Sequence, residues 1–386
     1  MLFSTAVYAE QGQTREIHQG VSVNLDGQLM SFDEDSTPFI VDDRTFVPYV
    51  ALRAMAETLG MAVEFDVHTN TVYLVSQVDT TQSGGLLNGM LVHDNIERHF
   101  HYFLPSNFEV GMPLLISLHG MGSNSLGSLD NTQWHTKAEQ EGFVVVAPNS
   151  TRVILDDAGN VVDVVSDGMS SYDDPTLVQS HIAWNAGHFA ATGTLTYVDD
   201  VGYIDALIDY FIEQYGVDSD KIFAAGMSNG GFFAQKLAVR LGDRFAAVAS
   251  VTGPLGGQIM DETPVAPTRM VLFMADDDPV VLFDGLVNDG VVVYLSTHET
   301  TEFWLEHFRI DGEPVVTYVP QVPGDPTRIV RHEFPPGAGE FILYIIEDGG
   351  HAWPGGGQYL PVQFIGVASE VDATELIWLD FMKVFD

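Results

Sequence analysis

Two hydrophobic rhythms divide the chain. Over residues 17–76 short runs alternate apolar and polar positions, as in VSVNLDGQLMSF and TVYLVS. They flank one stretch where Val50, Leu52, Met55 and Leu59 recur at helical spacing before Gly60 ends it. The pattern predicts a small α+β unit, a sheet wrapped on one helix. The stretch QVDTTQSGG is polar and without period, and residues 77–88 are assigned as a linker. From 89 to 386 the rhythm changes. Unbroken apolar runs of strand length, among them PLLISLHG, GFVVVAPNS, KIFAAGMS, RMVLFMADDDP and FILYIIEDGGH, alternate with amphipathic stretches such as VDDVGYIDALIDYFIEQYG. Apolar strands between helices call for an α/β fold with a mostly parallel central sheet covered on both faces.

In such a sheet ligands gather where strands end, so the residues just after each apolar run carry the interest. After KIFAAGM comes Ser228, set among glycines in GMSNGG where strand turns into helix. That context suits a serine held in a strained turn with its hydroxyl above the sheet edge. After the RMVLFMA run come Asp276, Asp277 and Asp278, of which Asp278, directly before Pro279, is assigned as the acid. His351 follows the last run. A serine hydroxyl needs a base within hydrogen-bond reach, and that base needs an acid to fix its tautomer, so Ser228, His351 and Asp278 fill the three roles. Acyl transfer also needs donors for an oxyanion. The backbone N–H groups of Asn229, opening the helix, and of Met121, in HGMGSN, are the expected source. His119 is read as holding its loop, with direct catalysis the lesser alternative. Asp199 and Asp200 are read as capping the helix they open. Trp353, two residues past the base, and Trp184, in WNAG, are expected to contact substrate.

Charge narrows the partners. Lys and Arg number 15 against 54 Asp and Glu, a formal net charge of −39, which repels nucleic acid and anionic lipid. A surface this acidic is expected to be relieved by salt. The absence of cysteine excludes disulfides, thiol nucleophiles and thiolate metal sites. The acidic stretch 156–168 matches no calcium-loop spacing, and no metal is assigned. No apolar run is long enough for a membrane span. Residues 1–16, apolar and then polar with Val7 and Ala9 at signal-peptidase spacing, read as the remnant of a secretory signal, which predicts an extracellular protein.

These segments also carry resemblances. VNLDGQ, DDRTFVPYVALRAMAETLG and FDVHTNTVYL together resemble the small N-terminal domain first recognised in copper amine oxidases, which carries no copper site. Residues 17–76 are thus a spacer or a contact to polymer or cell wall. LISLHGMGSN, WNAGH, VDDVGYIDALID, GMSNGG, DPVVLFDG and GGHAWPGG resemble the poly(3-hydroxybutyrate) depolymerase and feruloyl esterase group of carbohydrate esterase family one. The resemblance implies an α/β-hydrolase fold, cofactor-free serine ester hydrolysis and a triad of Ser228, Asp278 and His351. The expected substrates are feruloyl-type, short-chain or polyester compounds, including poly(3-hydroxybutyrate) and, given an open cleft, poly(ethylene terephthalate). Where many relatives carry a Cys-Cys pair after WNAG, this chain has His188 and then Ala190 and Ala191, and Met274 and Ala275 replace a common His-Gly. A peptidase shares the triad, but no access-restricting domain is recognised here. The alternative from another class is a cell-envelope or polymer-binding protein that uses the hydrolase fold as a scaffold, for which a broken triad or oxyanion loop would be the sign; neither is broken.

Overall fold

The structure is a computed structural model. It describes residues 83–155, 161–166, 168, 181–188 and 198–383, together with strand segments between 5 and 76. The chain divides into two compact units, Met1–Asp79 and Thr80–Asp386.

In the first unit a four-stranded antiparallel sheet runs in the order Thr5–Glu10, Gln13–Gln19, Phe39–Val41, Arg44–Phe46. Residues read as a leader remnant thus contribute its first strand. Met61–Asp66 and Thr71–Ser76 pair as the hairpin expected from FDVHTNTVYL. The expected helix around Val50, Leu52, Met55 and Leu59 lies outside the described residues, as do 156–160 and Ala190 and Ala191.

The second unit is built, among the described residues, on a ten-stranded sheet: β1 (Gly85–His93), β2 (Ile96–Leu104), β3 (Leu114–Leu118), β4 (Val144–Pro148), β5 (Ile222–Met227), β6 (Ala247–Val251), β7 (Arg269–Ala275), β8 (Val315–Tyr318), β9 (Arg328–Glu333) and β10 (Glu340–Glu347). Their order is β8-β9-β10-β7-β6-β5-β3-β4-β2-β1. The six strands from β4 to β10 across the centre are parallel, and both edges are antiparallel. This is the α/β-hydrolase fold. Residues 85–88, assigned above to the linker, belong to β1, where Leu86 and Leu87 pair with Phe103 and Tyr102. Half-buried and exposed positions alternate along this edge strand, a weaker apolar signal than the buried runs give.

Period-two alternation sorts the core into two layers. Leu114, Ile116 and Leu118 of β3, with Met270, Leu272 and Met274 of β7, face one side. There they meet α3 (Asp200–Tyr215), α4 (Asn229–Arg240) and α5 (Thr297–His307) through Phe211, Phe233 and Trp304. The intervening Leu115, Val271 and Phe273 face α1 (Ser125–Thr132), α2 (Trp134–Glu141) and α6 (Ala373–Met382) through Leu129, Trp134 and Trp378. Burial on both faces is why these strands read as unbroken apolar runs. The chain leaves β3 for β4 on one side and then returns to β5 on the other, so the strand order reverses between β3 and β5. Crevices at such a reversal open at the carboxyl ends of the strands, where β3 delivers His119 and β5 delivers Ser228. Among the described residues no helix is long and apolar enough to cross a membrane.

Candidate active site

Ser228 sits at the junction of β5 and α4 with φ 55° and ψ −123°, a conformation side-chain-bearing residues rarely adopt. Close approach explains the surrounding glycines. A Cβ at Gly230 would lie 2.2 Å from the Leu118 carbonyl oxygen and 2.7 Å from that of His119; one at Gly226 would lie 2.2 Å from the Gly230 oxygen. Strand end, serine turn and helix start are therefore locked together. Strain of this kind persists only where its surroundings over-determine it, and it marks functional sites.

Asp278 and His351 meet below the same rim. His351 Nδ1 lies 2.7 Å from Asp278 Oδ2, and both side chains are buried. Asp278 Oδ1 accepts the backbone N–H groups of Val280 at 2.8 Å and Val281 at 2.9 Å, which fixes the carboxylate. Asp276 is turned away, accepting the Asp348 N–H at 2.7 Å, and Asp277 is exposed. With Nδ1 donating to Asp278, Nε2 is the imidazole nitrogen left as a proton acceptor. The Tyr359 hydroxyl donates to the His351 carbonyl at 3.0 Å and steadies the loop.

Ser228 and His351 line one cavity of about 880 Å³, together with Met121 and Asn229. Gly120 brings the β3 loop against the serine, since a Cβ there would lie 3.5 Å from Ser228 Cβ. The Gly122 N–H donates to the Ile182 carbonyl at 2.8 Å. Asn229 opens α4, so its N–H is one of the orphan donors of a helix start. The cavity wall is otherwise mainly apolar, with Leu126, Phe232, Val281, Val293 and Phe364 among its residues. His188 joins them, its ring stacked on Phe232 at 3.9 Å. Burial, with Lys236 nearby, pushes the His188 imidazole down to about 4.

His119 holds the loop, as its strand-end position suggests. Its Nδ1 lies 2.7 Å from the Gly120 carbonyl, while Nε2 accepts the Ser150 N–H at 3.0 Å. Burial pushes its pKa down to about 4, so the ring is neutral at ordinary pH.

The two tryptophans are corrections to the sequence reading. Neither lines the cavity. The Trp353 indole N–H donates to Thr374 Oγ1 at 3.0 Å, and the ring packs edge-on against Trp134 in the layer beneath α2 and α6. Trp184 is a brace: its indole N–H donates to the His119 carbonyl at 3.0 Å, and its ring stacks on Phe233 at 5.0 Å. Its backbone N–H donates to Asn229 Oδ1 at 2.7 Å, and Asn229 Nδ2 donates back to its carbonyl at 3.2 Å. Both segments carrying the expected oxyanion donors therefore lean on one residue.

Behind this brace lies a polar network that sequence reasoning missed. Asp199 caps α3 as expected, accepting the Gly202 N–H at 2.9 Å. Asp200 does more than charge the first turn: it is buried against Arg98 of β2, with Nη2 to Oδ1 at 2.6 Å, and its Oδ2 accepts the Asn185 N–H at 2.7 Å. The Arg98 guanidinium lies 3.9 Å over the Tyr203 ring. Lys236 Nζ donates to the Asn185 carbonyl at 2.6 Å, and burial pushes this ammonium down to about 8. The one available signal was an arginine at an inward position of the ERHFHYFLP strand.

Comparison with known proteins finds partial similarity to hydrolases and esterases. Residues 198–266, from the start of α3 past β6, match the model of the Prolyl oligopeptidase family. The chain is 29% identical over 157 residues to the bifunctional acetylxylan esterase/xylanase XynS20E of Neocallimastix patriciarum, covering 41% of this chain and 18% of that one. It is 24% identical over 153 residues to Feruloyl esterase B of Talaromyces stipitatus, covering 40% and 35%. These matches span well under half the length of the curated relatives. Among solved structures, the acetyl xylan esterase from Aspergillus awamori aligns over 70% of this chain and 94% of its own, with TM-score 0.48 and 15% identity.

Proposed function

We propose that the chain is a serine carboxylic ester hydrolase working through an acyl-enzyme. Ser228 Oγ attacks the ester carbonyl carbon while its proton passes to His351 Nε2. Asp278 holds the imidazole tautomer and stabilises the imidazolium. The oxyanion is received by the Met121 and Asn229 N–H groups, where each donor contributes roughly 10²–10³ in turnover. His351 then protonates the leaving alcohol; in the second half it takes a proton from the water that attacks the acyl carbon and returns it to Ser228 Oγ as the acyl–oxygen bond breaks, releasing the carboxylic acid. The observation that carries the reading is the buried Asp278–His351 pair at 2.7 Å beside a cavity shared with the strained Ser228.

The apolar cavity suits esters with apolar or aromatic acyl groups, and the curated relatives named acetylxylan and feruloyl esterase fall in the same chemical class. Feruloyl, short-chain acyl and polyester substrates, among them poly(3-hydroxybutyrate) and poly(ethylene terephthalate), are the candidates. Residues 17–76 serve as a spacer or as a contact to polymer or cell wall. The decisive experiment compares the intact protein with Ser228→Ala on p-nitrophenyl butyrate and methyl ferulate. Turnover of either ester by the intact protein alone supports the assignment; equal inactivity of both proteins on both esters overturns it. The family match to prolyl oligopeptidases favours one second reading, a peptidase. A peptide p-nitroanilide assayed beside the esters separates the two, with ester turnover dominant under the proposal.

A further inference from the structure

Two segments that contribute residues to the cavity lining also carry exposed apolar side chains. One is the hairpin Leu286–Asn288 and Val291–Tyr294, whose Asp289-Gly290 tip has positive φ at both positions, the geometry of a tight two-residue hairpin turn. Its root is tied down. Leu282 N–H donates to the Tyr294 hydroxyl at 3.0 Å, and Leu286, Val293 and Tyr294 line the cavity. Its outer face is bare: Val287 is 62% and Val291 67% exposed. The other is the loop after His351, where Val362 is 53% and Phe364 58% exposed. Leu126 and Met121, both exposed, line the cavity as well. Solvent-facing apolar residues gathered in one place, unlike scattered ones, mark an interaction surface.

Charge distribution says what the surface meets. In a chain with 54 acidic residues, Ala352–Ser369 carries no charged side chain, nor does Met112–Leu129 apart from His119, which burial keeps neutral. On the hairpin only Asp284 and Asp289 are charged. The strongly acidic remainder repels anionic lipid and discourages self-association. A largely apolar collar, its carboxylates confined to Asp284 and Asp289 at the hairpin and Asp130 in the cavity lining, fits an uncharged apolar partner that also enters that cavity.

We propose that this collar adsorbs the enzyme, through its catalytic unit, onto the surface of a neutral, water-insoluble ester and so delivers chains from that surface to Ser228. The proposal rests on the ester-hydrolase reading. Attachment therefore has a source separate from residues 17–76.

The test separates adsorption from chemistry. Full-length Ser228→Ala protein is partitioned between buffer and polycaprolactone particles, with and without Val287→Ser, Val291→Ser and Val362→Ser, none of which lines the cavity. The same three substitutions in the active chain are assayed on soluble p-nitrophenyl butyrate, and a parallel set with Thr keeps the valine shape. The expected result is partitioning that persists in molar NaCl and falls about tenfold or more in the serine set, in line with the loss of exposed apolar area. The threonine set falls in the same direction, and soluble-ester kcat/KM stays within about twofold. Equal partitioning of parent and variants overturns the collar, as does adsorption abolished by salt. Light scattering that shows a dimer split by these substitutions, with adsorption unchanged, overturns it in favour of a self-interface. Loss of soluble-ester turnover on Ser228→Ala tests the hydrolase reading independently.

Discussion

Asp278 presents one carboxylate oxygen to His351 Nδ1 at 2.7 Å and commits the other to two backbone N–H groups of its own loop. An amide at this position keeps the carbonyl for Val280 and Val281 but turns an NH2 toward the imidazole, which favours the wrong tautomer. Asp278→Asn is therefore expected to fold normally and to lose about 10⁴ in kcat on p-nitrophenyl butyrate. Asp277→Asn, at an exposed carboxylate, is expected to stay within about twofold. If the two variants fall equally, the acid is misassigned.

Trp184 supplies the next distinction. As a brace it acts through the His119 carbonyl and the Asn229 side chain, so its loss loosens the segments that carry Met121 and Asn229. Trp184→Phe keeps much of the stacking on Phe233 and removes one buried hydrogen bond, a cost of about 1 kcal/mol in stability. The expected signature is a lower kcat with KM little changed, the same for butyryl and feruloyl esters. A substrate wall would instead shift KM and would do so differently for the two esters.

The contrast between the triad positions and the tryptophans shows what the sequence could reveal. Ser228, Asp278 and His351 each follow an apolar run with no reading except a buried strand, and the ends of parallel strands open on the ligand crevice. Local order was therefore enough to nominate them, with Asp278 one of three successive aspartates at its strand end. The direction of a loop side chain depends instead on distant partners. Trp353 turns inward because Trp134 and Thr374 offer a ring face and a hydroxyl, and Trp184 because His119 offers a carbonyl. Arg98 and Asp200 meet across 102 residues, a pairing that no local spacing encodes. The exposure of Val287 and Val291 likewise follows from the surroundings of the hairpin and not from their own apolar run.

The Arg98–Asp200 pair gives a stability prediction with an internal control. Both side chains are out of solvent, so removing one leaves a buried charge without its partner. Arg98→Met alone is expected to cost about 3–5 kcal/mol, whereas Arg98→Met with Asp200→Asn removes both charges and recovers a substantial part of that loss. Denaturant unfolding of the parent, both single variants and the double variant completes the cycle. Strict additivity would mean that the two groups do not act as a pair.

Acid sensitivity follows from His119. Its folded pKa is about 4, against about 6.5 for a solvated imidazole, because burial disfavours the charged ring. Between those values the unfolded chain binds the proton and the folded one does not, so the stability of the fold rises with pH through this window. Conversely, stability declines as pH drops below about 6.5 and the loss levels off below about 4. Between pH 7 and 5.5 this one group removes about 1 kcal/mol, since a tenfold difference in proton affinity is worth about 1.4 kcal/mol. His188, also held at about 4, adds a similar amount. His119→Gln removes one titration and leaves every carboxylate contribution in place. Urea unfolding at the two pH values should therefore show a drop about 1 kcal/mol smaller in the variant than in the parent, even though the variant starts from lower stability at pH 7. Equal drops would mean that His119 accepts its proton while folded, through an opening of the loop that carries Met121.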